Sequence, residues 1–339
     1  MNCTKEYSAE IVEKYWEREW NKIKSMPFPS RFEHEITEQQ CINEFSNLKN
    51  KDLKDGTRSS IIPKFFISMP TANKGGSLSP VEYWEKLKTD PELFKKFYEN
   101  RLRCSDWFNE KDGQNRKYLD EGFVPPFIYS IGLTTSGKAP MVSYFKPSTA
   151  KNIINKYASE FNSIFDPCAG YGGRYLGTMA TGKAYIGFDI NDITIKENIE
   201  VKNWLEANFD VPNSNFEIKD SFNNTGTYEC LFTCPPYSKP ISKNKNIQIE
   251  EWLSSTGKIS CQYSCDEIID ILLKNYDCQK YIIVVDETAQ KYKDYIAEKI
   301  TNTNYINARN GQLTEASKNY EAVVVITKEQ RDNIISGDK

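Results

Sequence analysis

The sequence predicts an α/β protein in which a sheet of mainly parallel strands follows a mostly helical amino-terminal domain. One contrast along the chain predicts it. Up to about residue 120, apolar side chains recur at helical spacing among Glu and Lys; from about residue 141, apolar runs of strand length alternate with helical segments. A length of 339 residues fits two domains at about 150 residues each. We therefore place a helical accessory or recognition domain at 1–140, an α/β domain at 141–330 and a tail at 331–339.

The first helix gathers Ile11, Val12, Tyr15, Trp16, Trp20 and Ile23 near one face. Thr37 is a candidate N-cap for a second, containing Cys41, Ile42 and Phe45. Ser79-Pro80-Val81-Glu82 reads as a capped start, with proline at the first helical position and an acid three residues after the cap. That helix continues through Tyr83, Trp84 and Leu87, and Pro91 restarts another through Phe94, Phe97, Tyr98 and Leu102. Strands are predicted at Ser163 to Asp166, Ala184 to Asp189, Phe216 to Asp220, Cys230 to Thr233, Tyr281 to Asp286 and Ala322 to Thr327. Helices predicted at Thr149 to Phe161, Asp192 to Ala207 and Glu267 to Tyr276 separate most of them, as crossovers between parallel strands require.

Composition excludes several classes. With 18 Phe, 20 Tyr and 6 Trp the chain is not intrinsically disordered. No apolar run approaches the roughly 18 residues of a membrane span, and the start lacks the apolar core of a signal peptide. The expected setting is soluble and cytoplasmic, with no membrane partner. Nine cysteines, an odd count, read as buried thiols rather than a disulfide framework. Cys230/Cys234 and Cys261/Cys265 are each four apart, which is not the usual zinc-knuckle spacing, and no metal is expected. A single histidine, His34, leaves little room for a histidine base or nucleophile relay. Of 44 basic and 47 acidic residues, 22 and 21 lie in residues 1–140. Neither part is polybasic, so phosphate contacts would fall to local clusters.

Ligands of such sheets bind at the carboxyl ends of the strands. Ile164 to Arg174 runs strand, Gly-rich turn, helix: Asp166-Pro167-Cys168-Ala169-Gly170-Tyr171-Gly172-Gly173. Glycines admit positive φ and close backbone approach, and the helix start offers free N–H groups. A dinucleotide fingerprint fails because Tyr175 stands where a third small residue belongs, and a P-loop is excluded because no Gly-Lys-Ser/Thr closes the turn. The second strand ends at Asp189, 19 residues after Gly170, near the offset at which a carboxylate meets ribose hydroxyls. The third ends at Asp220. Three strand-end acids, Asp166, Asp189 and Asp220, describe a pocket for a ligand with an amine, a ribose diol and an adenine.

The Asp166 to Gly173 segment resembles the first motif of S-adenosylmethionine-dependent methyltransferases, especially the Asp-Pro-Phe-x-Gly-x-Gly form of the DNA amino-methyltransferases. The resemblance implies a Rossmann-like class I methyltransferase sheet of seven strands, with Ala322 to Thr327 inserted antiparallel, and S-adenosyl-L-methionine as cofactor. It implies that Asp166, Pro167, Cys168, Ala169, Gly170 and Gly172 face the methionine moiety. Asp189 and Ile190 would serve the ribose end, and Asp220 and Ser221 the adenine. Phe145, in Phe145-Lys146-Pro147-Ser148, would line the pocket.

Leu231-Phe232-Thr233-Cys234-Pro235-Pro236-Tyr237 ends the fourth strand and resembles the Asp/Asn/Ser-Pro-Pro-Tyr motif of enzymes that methylate exocyclic amines or amides. Such nitrogens are poor nucleophiles, their lone pairs being delocalised. Acceptors that take their protons favour a pyramidal nitrogen, two prolines leave a carbonyl free to accept, and the aromatic ring stacks on a flipped base. By that resemblance Cys234, Pro235, Pro236 and Tyr237 are catalytic. A thiol is a weak acceptor, and three readings of Cys234 stay open: a steric fit with Pro235 carbonyl accepting, a nucleophile for carbon-5 methylation of cytosine, or an inactive site.

The motif order resembles the gamma arrangement of the family. Base recognition would fall to the Ser238 to Ser264 loop, where Lys239, Lys243 and Lys245 accompany Trp252 and Tyr263, to the helical region, or to a partner. Lys95, Lys96, Arg101 and Arg103 read as a solvated face. The expected activity is methylation of a flipped adenine or cytosine in double-stranded DNA, with a second copy or partner subunit left open. Rival readings are a silent nucleic-acid-binding subunit and a methyltransferase acting on RNA, protein glutamine or carbon-5 of cytosine.

Overall fold

The computed structural model describes residues 5–29, 36–74, 77–105, 124, 129, 133, 139, 142–236, 239–240, 247–248, 250–255, 257–260, 263–286, 289–301 and 320–337. In chain order the helices are α1 (Lys5–Lys24), α2 (Glu38–Asn50), α3 (Ile61–Phe65), α4 (Pro80–Thr89), α5 (Pro91–Ser105), α6 (Pro147–Tyr157), α7 (Gly173–Ala180), α8 (Asp192–Asn208), α9 (Cys265–Asn275) and α10 (Lys328–Ser336). The main-sheet strands are β1 (Ser163–Asp166), β2 (Ala184–Asp189), β3 (Ser214–Ile218), β4 (Gly226–Thr233), β5 (Tyr276–Asp286), β6 (Ile296–Thr301) and β7 (Tyr320–Thr327).

The chain forms two compact units, one of residues 1–35 and 70–141, the other of 36–69 and 142–339. In the first, α1, α4 and α5 bury Val12, Ile23, Trp84, Leu87, Phe94, Phe97 and Tyr98 in one core. The predicted capping box is present: Ser79 Oγ accepts from Glu82 N, and Glu82 returns a bond to Ser79 N. Of the basic residues expected to form a solvated face on α5, Lys96 is exposed and Lys95 pairs with Glu13 at 2.6 Å, whereas Arg101 is buried, which corrects the expectation there; the Arg103 side chain lies outside the described residues.

Residues 36–69 correct the expected 1–140 boundary, because they pack with the α/β unit. The Thr37 cap forms as predicted, and α2 buries Cys41, Phe45 and Leu48. Phe45 meets Phe209 at 4.8 Å, and Lys151 of α6 donates to the carbonyls of Leu48 and Lys51 at 2.8 and 3.0 Å. Three orphan carbonyls at the end of a helix and a buried ammonium satisfy one another, Lys49 O being the third at 3.3 Å.

The second unit has the Rossmann-like α/β architecture expected. Its seven-stranded sheet runs β6-β7-β5-β4-β1-β2-β3. Strands β1 to β5 are parallel, while β7 lies antiparallel between β5 and β6, as the resemblance implied. The β6 strand was not foreseen, its Ile-Ala-Glu-Lys-Ile-Thr sequence having only intermittent apolar positions. Strand β3 stops at Ile218, so Asp220 projects from the following turn rather than from the strand end. The 331–339 tail is also corrected: α10 is capped by Thr327 and Gln330, and Arg331 Nε donates to Leu273 O at 2.9 Å. Among the described residues no helix is long and apolar enough to cross a membrane.

Candidate active site

Strand order reverses between β1, which leads toward β2 and β3, and β4, which leads toward β5. The crevice at such a switch point is where α/β sheets hold ligands. Both predicted motifs meet there.

On the β1 side, the chain turns through Gly170 at φ 55° and Gly172 at φ 69°, conformations that L side chains rarely adopt. Gly173 is required for a different reason: a Cβ there would lie 1.7 Å from the Phe145 carbonyl oxygen. Phe145 thus packs its backbone on the turn while its buried ring meets Phe232 edge-on at 5.8 Å. Ala169 N donates to Phe188 O at 2.8 Å, and Asn198 Nδ2 holds Gly170 O at 2.8 Å. Phe66 closes over the turn, edge-on to Tyr171 at 5.8 Å, and Ser68 anchors that segment by donating its N–H and hydroxyl to Glu197.

The three acids differ in kind. Asp166 has no exposure. Its Oδ2 accepts from Arg174 Nε at 2.7 Å and Tyr185 OH at 2.9 Å; its Oδ1 accepts from Thr233 Oγ1 at 2.7 Å and Cys168 N at 3.1 Å. Arg174 Nη2 also donates to the Cys168 carbonyl. Burial works against the Arg174 charge, but Asp166, and after it Cys234 and Tyr185, raise its pKa above the ordinary value, so the guanidinium stays charged. The carboxylate of Asp166 is therefore taken up by the protein and is not presented to a ligand.

Asp189 is half-buried, with Oδ2 accepting from Gly170 N and Oδ1 from Asn191 N, each at 2.9 Å. Burial raises its pKa, and the two N–H groups pull it back. Ile190 beside it is 49% exposed, an apolar face open to a ligand. Asp220 accepts from Phe222 N at 3.0 Å and Asn223 Nδ2 at 2.5 Å, and Ser221 Oγ donates to the Pro167 carbonyl, which ties this turn to the Gly turn.

On the β4 side, Thr233 ends the strand, Cys234 is half-buried against the core that contains Phe145 and Phe232, Pro235 is buried and Pro236 is half-buried. Tyr237, Lys243 and Lys245 lie outside the described residues. Lys239 pairs its backbone with Gln248 in a short ribbon. Further along the expected recognition loop, strands Glu250–Ser254 and Gly257–Ser260 form a hairpin whose Ser255 donates its N–H and hydroxyl to Asp192, at the start of α8, at 3.0 and 2.6 Å. Tyr263, half-exposed, meets Phe222 edge-on at 5.1 Å.

The structure thus brings Pro167 to Gly172, Asp189, Ile190, Asp220, Ser221 and Cys234 to Pro236 to the same end of the sheet, with Phe145 and Asp166 buried beneath them. Sequence reading missed Arg174, Thr233, Tyr185 and Phe66. Arg174 stood in plain view at the head of α7, where a cation directly after a Gly-rich turn and eight residues from Asp166 was the available signal. Tyr185 lay within a predicted strand, and Phe66 carried no local signal.

No family model and no curated protein matches the chain. Solved structures do. The chain is similar to magnesium protoporphyrin IX methyltransferase from Synechocystis, solved with bound SAM, at 13% identity over 67% of this chain and 96% of that one, TM-score 0.35. It is similar to an rRNA methylase from Streptococcus thermophilus at 10% identity over 55% and 99%, TM-score 0.31. TehB from Haemophilus influenzae matches at 13% identity over 58% and 66%, TM-score 0.34.

Proposed function

We propose that this chain transfers a methyl group from S-adenosylmethionine to the exocyclic amine of a flipped adenine or cytosine in double-stranded DNA. The observation that carries the reading is the meeting of the Gly-rich turn and the Cys-Pro-Pro loop at the sheet's switch point, with Thr233 and Asp166 joining them at 2.7 Å.

The donor set fits the cofactor. The Asp189 carboxylate sits at the rim to accept from ribose hydroxyls, Ile190 offers an apolar face to the adenine, and Asp220 an acceptor for its amino group. Backbone of the Gly170–Gly172 turn can approach a ligand closely, having no Cβ in the way. When bound, S-adenosylmethionine supplies an electrophilic methyl on a sulfonium. The chain's contribution is then orientation. The Pro235 carbonyl accepts a hydrogen bond from the target amine, and prolines hold that carbonyl in place. Once methylated, the nitrogen is an acidic ammonium that loses its proton to water, so no strong base is needed. Lys239, Lys243 and Lys245 are assigned to phosphate contacts.

Incubation with labelled cofactor and DNA, RNA or protein, followed by digestion and mass spectrometry of the acceptor, tests the proposal. Label on adenine N6 or cytosine N4 is expected. Label only in RNA, in protein glutamine or in no acceptor would overturn the DNA assignment, and the last outcome would favour a silent subunit.

A second reading rests on the position of Cys234, half-buried where β4 ends beside the Gly turn, where it would serve as a thiolate nucleophile for carbon-5 methylation of cytosine. Cys234→Ser separates the two: an amine methylase keeps its activity, whereas a nucleophile mechanism loses it.

A further inference from the structure

Backbone pairing between β1 and β4 ends at Phe165 with Leu231. The last two residues of β4 before Cys234 have no described ladder to β1, although Thr233 still pairs with Ile283 of β5 on the other side. Across that gap runs a side-chain bond, Thr233 Oγ1 to Asp166 Oδ1 at 2.7 Å, between two residues with no exposure. The same carboxylate holds Cys168 N of the Gly turn and Arg174 of α7.

We infer that Thr233 is a positioning residue, which through Asp166 fixes the Cys-Pro-Pro loop against the Gly turn so that acceptor and methyl donor are held in line. The inference rests on the methyl-transfer reading. Its physical basis is that displacement of a reacting group by about 1 Å can cost about 100-fold in rate. A buried hydroxyl-to-carboxylate bond is short, directional and charge-assisted. Neither Thr233 nor Asp166 touches the ligands in this scheme. They set the relation between the loops that do.

The test compares wild type with Thr233→Val, which keeps the shape and loses the donor, and Thr233→Ser, which keeps the donor. Three quantities are read on folded protein: the dissociation constant for S-adenosylhomocysteine, the single-turnover rate at saturating cofactor, and the alkylation rate of Cys234 by iodoacetamide, followed by peptide mass spectrometry. Thr233→Val is expected to lower the single-turnover rate at least tenfold, to change the dissociation constant less than threefold, and to change Cys234 alkylation at least threefold. Thr233→Ser should lie within threefold of wild type in all three. A Thr233→Val protein that matches wild type in rate and alkylation, or a Thr233→Ser protein as impaired as Thr233→Val, overturns the inference. If wild type methylates nothing, the methyl-transfer reading fails on its own, and Cys234 alkylation in the free protein still decides whether Thr233 fixes the loop.

Discussion

Asp166 and Asp189 end neighbouring parallel strands and read alike in the sequence, yet their surroundings give them opposite uses. Asp166 is sealed, and donors from the Gly turn, α7, β2 and β4 converge on it. Asp189 stands at the rim, bonded among the described residues to two backbone N–H groups. The difference traces to Arg174. A buried guanidinium within 2.7 Å turns the first acid into part of the frame, while the second, with no such cation bonded to it, stays available to a ligand. An acid at a strand end is thus a ligand candidate only after its neighbours have been counted.

The largest effect should come from removing one charge of the buried pair. Asp166→Ala leaves Arg174 buried and unpaired and should cost about 3–5 kcal/mol in urea denaturation. Replacing both partners, as Asp166→Leu with Arg174→Met, should recover most of that loss; a double variant as unstable as the single would break the comparison. Next comes Gly173→Ala. A Cβ meeting the Phe145 carbonyl at 1.7 Å forces the backbone apart, with an expected loss of about 1–3 kcal/mol in the same assay. Asp189→Asn should leave stability within about 1 kcal/mol of wild type while weakening S-adenosylmethionine binding about tenfold by calorimetry, or about 1.4 kcal/mol. An equal loss of stability in Asp166→Ala and Asp189→Asn would erase the distinction. The smallest effect is a pH dependence. Burial raises the Asp189 pKa, and its ionised form is the better acceptor. Cofactor affinity should therefore hold above that raised pKa and decline as pH falls through it, earlier than an ordinary aspartate would allow. In Asp189→Asn the decline should be absent.

Legibility in the sequence followed the range of the forces involved. The helices α4 and α2 were readable because capping is local chemistry within four residues: the Ser79–Glu82 box formed as read, and Thr37 caps α2 as read, with Gln40 completing a box that the reading did not include. Parallel strands β1, β2 and β4 were readable because burial on both faces makes continuous apolar runs. What was missed is set by partners distant in the chain. Residues 36–69 have an ordinary amphipathic pattern, and nothing in it says which core they join; that is decided by Lys151, Phe209 and Glu197, all about a hundred residues or more away. In the site, the Gly turn and its acids were legible because backbone conformation restricts residue choice. The use of Asp166 was not, since its four partners come from residues 168, 174, 185 and 233.

The placement of β7 between β5 and β6 bears on synthesis. Until residues 320–327 have been made, β5 shows an apolar edge along Tyr281 to Val285 and β6 has no described neighbour at all. Such an edge is a template for pairing with other chains. A nascent or truncated chain that stops before residue 320 should therefore depend on chaperones and aggregate without them, even though the whole Gly turn and Cys-Pro-Pro loop have already left the ribosome.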